Sequence, residues 1–326
     1  MKAKKLLAGV LTCAMMLTMG MTAFAAENEA QATDQETVTI KKVYQLEGQG
    51  TSPAETFTLK QAGDGNVKDG DATFAPALGT ITGAEFEKGA ATVDGVTKKI
   101  TVALPTYTNV GVYEYTLKEV AGTTAGVIYH PGTIKLVVTV VNGDNGNLRI
   151  AGVHTETGNN VKSDTITNTY SANTLKVSKK VEGNLGDKSK YFKFKVTLIG
   201  EEGKTYGDSY TVKGGSNAEN PKTIKIGDET TFVLKDGDTI SIENLPAGVS
   251  YTVVEEEATG YTTESTGDTG IISAKNESTA AFTNKKGNNN IDTGINLTTL
   301  PYMLTIAAIF VIAAIAFVAK RRRFED

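Results

Sequence analysis

Lysine, glutamate and asparagine recur at matching places in two halves of this chain, and together they can make an amide bond. In the first half Lys42 lies in VTIKKVYQLEG, Glu119 in GVYEYTLKEV and Asn168 in DTITNTY. In the second Lys179 lies in LKVSKKVEG, Glu255 in GVSYTVVEEE and Asn284 in AAFTNKK. Read as β-strands, such segments alternate their side chains between two faces. Lys42 then shares a face with Val38, Ile40 and Tyr44, Glu119 with Tyr113, Tyr115 and Leu117, and Asn168 with Ile166 and Tyr170. The second set falls the same way: Lys179 with Leu175, Val177 and Val181, Glu255 with Tyr251 and Val253, and Asn284 with Phe282. One polar residue on an apolar face is an accident of phase. The same three in two copies is a pattern.

Two chemistries fit the pattern. The first is a buried Lys–Glu salt bridge with Asn as a hydrogen-bond partner, which costs several kcal/mol per ion in desolvation. The second uses that cost. Desolvation lowers a lysine pKa and raises a glutamate pKa, so the amine loses its proton and becomes a nucleophile. The protonated carboxyl polarises the Asn carboxamide and relays protons to its leaving nitrogen. Ammonia departs and a Lys–Asn isopeptide bond remains, with folding supplying the proximity. Glu119 and Glu255 are thus candidate catalytic carboxylates, and Lys42–Asn168 and Lys179–Asn284 candidate cross-links.

The elements that must position these groups are all β. The body is rich in Thr, Val, Ile and Tyr at period two, with Gly and Asn/Asp turns. A hairpin is expected around Asn142 to Asn147. Short strands at this spacing predict two β-sandwiches. The internal repeat divides the chain near Ser171 to Asn173, giving domains over 26–170 and 171–287.

Composition narrows the function. The 326 residues carry 33 basic and 37 acidic side chains, net −4, and basic clusters sit at the two ends, Lys2, Lys4, Lys5 and Lys320 to Arg323. The body between is acidic, which argues against nucleic-acid binding. Cys13 is the sole cysteine, and there are two histidines and no tryptophan. Disulfides, Cys-based zinc sites and Cys nucleophiles are therefore not expected in the mature protein. No metal or cofactor is expected, and a conventional enzyme is disfavoured. Asp64, Asn66, Asp69 and Asp71 could recruit calcium but lack the closing Glu of an EF-hand, so they read as a solvated loop. His130, before Pro131, and His154, at a strand end, show no partner in the sequence and read as structural or surface residues.

The two ends are addresses. Residues 1–25 have a basic start, an apolar middle and the small-residue close Ala23-Phe24-Ala25, the layout of a signal peptide cleaved before Ala26. Residues 288–326 contain a polar spacer, Ile291-Asp292-Thr293-Gly294, an uncharged span from Tyr302 to Ala319, and a basic tail. The span has the length of a membrane helix and the tail marks its cytoplasmic side. This order resembles a Gram-positive cell-wall sorting signal, in which a sortase cuts between Thr293 and Gly294. Asp292 stands where proline is usual in such motifs.

The repeat itself, with TLKVSKKVEGNLGDKSKYFKFKVTL, FVLKDGDTISIENLPAGVSYTVVEE and AFTNKK in the second copy, resembles the T-antigen type of streptococcal major pilus subunits. The resemblance covers Thr37 to about Lys286 and implies two tandem Ig-like (CnaB-like) β-sandwiches. It also implies self-formed bonds at Lys42–Asn168 and Lys179–Asn284, assisted by Glu119 and Glu255, the residues that strand phase alone selects. By the same resemblance a sortase joins Thr293 of one subunit to a lysine before the last strand of the next subunit's first domain, where Lys162 stands. The expected function is the shaft subunit of a secreted, wall-anchored pilus. Its partners are sortase, further copies of itself, minor pilins and peptidoglycan, with the membrane engaged only transiently. The alternative is a wall-anchored minor pilin or adhesin stalk built from the same modules. A wall-anchored hydrolase is a third reading, disfavoured because its paired carboxylates are missing.

Overall fold

The computed structural model describes residues 35–158 and 161–287. The expected signal peptide, the Ile291–Gly294 motif and the apolar span lie outside the described residues. Among the described residues the protein is all β, save one short 3-10 turn at Asp144–Gly146. That turn closes the expected hairpin, between β-strands Thr133–Asn142 and Leu148–Thr157.

The main strands of the first half are β1 (Thr37–Gly48), β2 (Val96–Ala103), β3 (Gly111–Glu119), β4 (Thr133–Asn142) and β5 (Leu148–Thr157). Then comes β6 (Thr165–Glu182), eighteen residues long. The second half adds β7 (Phe192–Ile199), β8 (Glu229–Leu234), β9 (Thr239–Pro246), β10 (Ser250–Glu255) and β11 (Ser278–Lys285).

Each half buries a core between two sheets. In the first, β1 and β2 supply Val38, Ile40, Ile100 and Val102, facing Tyr113, Tyr115, Leu117, Ile134 and Leu136 from β3 and β4. In the second, Leu175, Val177, Ile240 and Ile242 face Phe194, Val196, Phe232 and Val253 of the β8–β7–β10 sheet. Alternation at period two produces both cores, since every second residue of a half-buried strand is apolar.

β6 belongs to both halves. Its first part pairs in parallel with β1, and its second part pairs in parallel with β11 and antiparallel with β9. Ala172 is the last member of the first core and Leu175 the first of the second. Ser171 to Asn173 is therefore the middle of a strand, with no linker. Tyr170 to Leu175 are all buried, because the chain is covered on both faces there. Small residues suit that crowding. At Gly48 (φ +86°) an added Cβ would come within 2.3 Å of the Ala172 carbonyl oxygen, so only glycine fits the end of β1. Polar side chains fasten the junction: Asn173 Nδ2 donates to the carbonyls of Ser273 and Ala274, and the Thr51 N–H donates to Asn244 Oδ1.

One expectation needs correction. Asn66–Gly70 is not a loop but a strand against β3, with its register broken between Val67 and Asp69. Sheet pairing there overrides a Gly- and Asp-rich sequence that favours turns.

Candidate functional site

The register of two parallel strand pairs sets the geometry of both sites. In β1–β6, Lys42 lies opposite Ile166 and Tyr44 opposite Asn168. In β6–β11, Lys179 lies opposite Phe282 and Val181 opposite Asn284. Each Asn is thus two residues beyond the cross-strand partner of its Lys. With a side-chain period of two, that offset returns it to the same face, as a diagonal neighbour. The carboxylate comes from the facing sheet: Glu119 ends β3, and Glu255 ends β10. The structure brings all six residues together as two triads.

In the first triad Lys42 and Asn168 are fully buried and Glu119 nearly so. Lys42 Nζ donates to Asn168 Oδ1 at 2.6 Å and lies 2.7 Å from Glu119 Oε1. Asn168 Nδ2 donates to the same Glu119 Oε1 at 2.9 Å. The carboxylate therefore touches both the amine and the carboxamide nitrogen. The walls are aromatic: Nζ stands 4.8 Å from the ring centroid of Phe57, which packs edge-on with Tyr44. Burial in these walls pushes the Lys42 amine down to about 8, although Glu119 pulls it the other way. Relative to an ordinary lysine, that favours the neutral amine.

The second triad has the same members in a different hand-hold. Lys179 Nζ donates to both oxygens of Glu255, at 2.9 and 2.8 Å, and stands 4.2 Å from the Phe192 ring centroid. Asn284 Nδ2 donates to Glu255 Oε1. Asn284 Oδ1 is buried without a hydrogen-bond partner among the described residues. Burial lowers the Lys179 amine and raises the Glu255 carboxyl, each against the attraction of its partner. Both shifts favour moving the proton from amine to carboxylate, leaving a neutral nucleophile beside a protonated acid.

Sequence reasoning missed one group. The main-chain N–H of His130 donates to Glu119 Oε2 at 2.6 Å and to Asn168 Oδ1 at 2.9 Å. No side-chain type marks a backbone donor, so the sequence carries no signal for it. His154 lies inside β5 and meets Glu156 Oε1 at 3.2 Å. Lys162 is exposed on the two-residue strand Val161–Lys162, which pairs with β5 just before β6 begins. Among the described residues no cluster of three or more His, Cys, Asp or Glu could hold a metal.

Residues 1–171 match the family model described as the Spy0128-like isopeptide containing domain. The chain is 30% identical over 297 residues to a pilin of Streptococcus pyogenes serotype M1, covering 82% of this chain and 86% of the relative. The chain belongs to this family of isopeptide-containing pilins. Residues 173–286 match a second model, a domain of unknown function. The pilus tip adhesin Cpa of Streptococcus pyogenes is 33% identical over 118 residues, 34% of this chain and 16% of the adhesin. The fold is that of the crystal structure of the major pilin from Streptococcus pyogenes, with a TM-score of 0.52 and 23% identity over 78% of this chain and all of that one. The protein is therefore a structural pilin and not an enzyme. A pilin polymerises with its own kind at the cell surface.

Proposed function

We propose that each half of this pilus backbone subunit is an Ig-like module locked by a self-made isopeptide bond, Lys42–Asn168 in the first and Lys179–Asn284 in the second. The observation that carries this reading is the first triad, in which one buried amine touches both a carboxylate and the oxygen of a carboxamide. Glu119 and Glu255 accept the lysine proton, hydrogen-bond the carboxamide nitrogen and protonate it as it leaves. The net change is one ammonia lost per half. Reaction needs no cofactor, since folding alone holds amine and carboxamide together.

Outside the modules, a sortase cleaves Thr293–Gly294 and holds Thr293 as an acyl-enzyme. Lys162 of another subunit resolves it, giving a covalent head-to-tail fibre, and peptidoglycan resolves the last, giving a wall anchor. Joining unlike sites produces an open filament rather than a closed ring. The exposure of Lys162 beside the start of β6 supports its role as acceptor. Boiled wall extracts of cells expressing the full chain should show a ladder of high-mass species. Lys162→Ala should abolish the ladder and leave both internal bonds intact. A ladder that persists assigns the linkage to another lysine, and a wild type that shows only monomer refutes the shaft assignment in favour of a wall-anchored stalk.

A further inference from the structure

The first triad has a fourth member that the second lacks. The N–H of His130 is shared between Glu119 Oε2 and Asn168 Oδ1, whereas Asn284 Oδ1 has no donor among the described residues. The fold builds this contact deliberately. The short strand Val127–Ile128 pairs antiparallel with β6 at Thr169 and Tyr170, and so delivers the next residues beside Asn168. Pro131 then biases His130 to extended backbone, and β4 begins at Thr133. The imidazole's buried Nε2 has no hydrogen-bond partner among the described residues.

We propose that the His130 main-chain N–H is the oxyanion donor of the first site, a catalytic group for cross-linking at Asn168. The proposal rests on the isopeptide reading above. Lys42 passes a proton to Glu119, and its lone pair then forms the Nζ–Cγ bond to Asn168. The carbonyl π electrons move onto Oδ1, which becomes an oxyanion. At that moment Glu119 is neutral and competes less for the shared N–H, so the donor turns to the oxygen where charge is growing. The oxyanion then collapses, the Cγ–Nδ2 bond breaks, and Nδ2 leaves as ammonia with a proton from Glu119. The excess proton on Nζ returns to the carboxylate. Atoms and charge balance without a further reactant.

The test is a time course of cell-free synthesis of the full-length chain, quenched in acid denaturant and digested, with each cross-linked peptide followed by mass. In one variant the α-hydroxy analogue of histidine replaces His130, turning the N–H into an ester oxygen. The first bond should form about 10²–10³ times more slowly, the usual cost of losing one oxyanion donor, and the second at the wild-type rate. His130→Ala keeps the N–H, so its first bond should form faster than that of the ester chain. An ester variant that closes its first bond at the wild-type rate overturns the proposal. So does a His130→Ala chain slowed as much as the ester. If the ester chain does not fold, amide exchange decides: the His130 N–H should be protected in Glu119→Ala and lose that protection when Asn168→Ala is added. Equal exchange in the two overturns the proposal. A wild type that forms neither bond refutes the isopeptide reading itself, a result separate from all of these.

Discussion

The two halves place the same three side chains by the same strand register, yet hold them differently. In the first, Lys42 already touches the Asn168 carboxamide; in the second, Lys179 is gripped by both oxygens of Glu255 and must turn from them to reach Asn284. The first half also directs a backbone donor at the carboxamide oxygen. The comparison separates what the chemistry requires from what it can use. A parallel pair of first and last strands, with Asn two residues beyond the partner of Lys, is common to both. The approach of the amine and the treatment of the oxygen are not.

The largest effects should come from removing a bond. Asn168→Ala leaves the Lys42–Glu119 pair in place but opens a loop of over 100 residues, and Asn284→Ala does the same in the second half. Each should lower the stability of its own half by about 4–5 kcal/mol in the chain-entropy treatment of cross-links. Calorimetry checks this, and a variant that melts as the wild type does would show that its half carries no bond.

Next come the carboxylates. Glu119→Gln and Glu255→Gln keep a hydrogen-bonding shape but cannot take a proton, so each should slow bond formation by about 10²–10⁴-fold in its own half alone. Peptide mapping reads the two halves separately. Loss of both bonds from one substitution would break the picture of independent sites.

The pH dependence has a definite sign. Neutral amine plus protonated carboxyl carries the same number of protons as the ion pair, so the reactive form is a fixed share while the pair holds one proton. While the pair holds its single proton the rate in the first half should therefore be flat, and it should fall above about 8, as Lys42 loses its proton to solvent. A rate that rises through this range would show that solvent, and not Glu119, removes the proton. In Asn168→Ala the same lysine stays free, with a folded-state pKa below its unfolded value. The folded state then binds fewer protons between about 8 and 10.5, so stability rises with pH there, by at most about 1.4 kcal/mol per unit. Subtracting the profile of Asn168→Ala/Lys42→Met isolates that contribution.

The smallest effect concerns the junction. Asn244 has φ +60° and accepts the Thr51 N–H at 2.8 Å. Asn244→Ala should cost about 1 kcal/mol, and Asn244→Gly less, because glycine holds that backbone without strain. If the junction couples the halves, the two melting transitions should separate further in the alanine variant.

Strand phase made the core faces legible in the sequence. Val38, Ile40, Lys42 and Tyr44 alternate with half-buried neighbours along β1, and Leu175 to Val181 do so along the end of β6. What phase could not show was the continuity of β6. Ser171-Ala172-Asn173 has the composition of a turn, yet these residues are small because both faces are packed. The strand at Asn66–Gly70 was hidden by its turn-forming residues, which pair only because β3 is beside them. The His130 donor was hidden because backbone groups have no letter of their own. The different grips on Lys42 and Lys179 are side-chain rotations, beyond what spacing encodes.

The most direct measurement is the intact mass of the folded chain, compared with the mass of its unmodified sequence. The account predicts a deficit of two ammonia molecules in the wild type, one in Asn168→Ala or Asn284→Ala, and none when both are replaced. A wild-type mass equal to that of the plain sequence would contradict it.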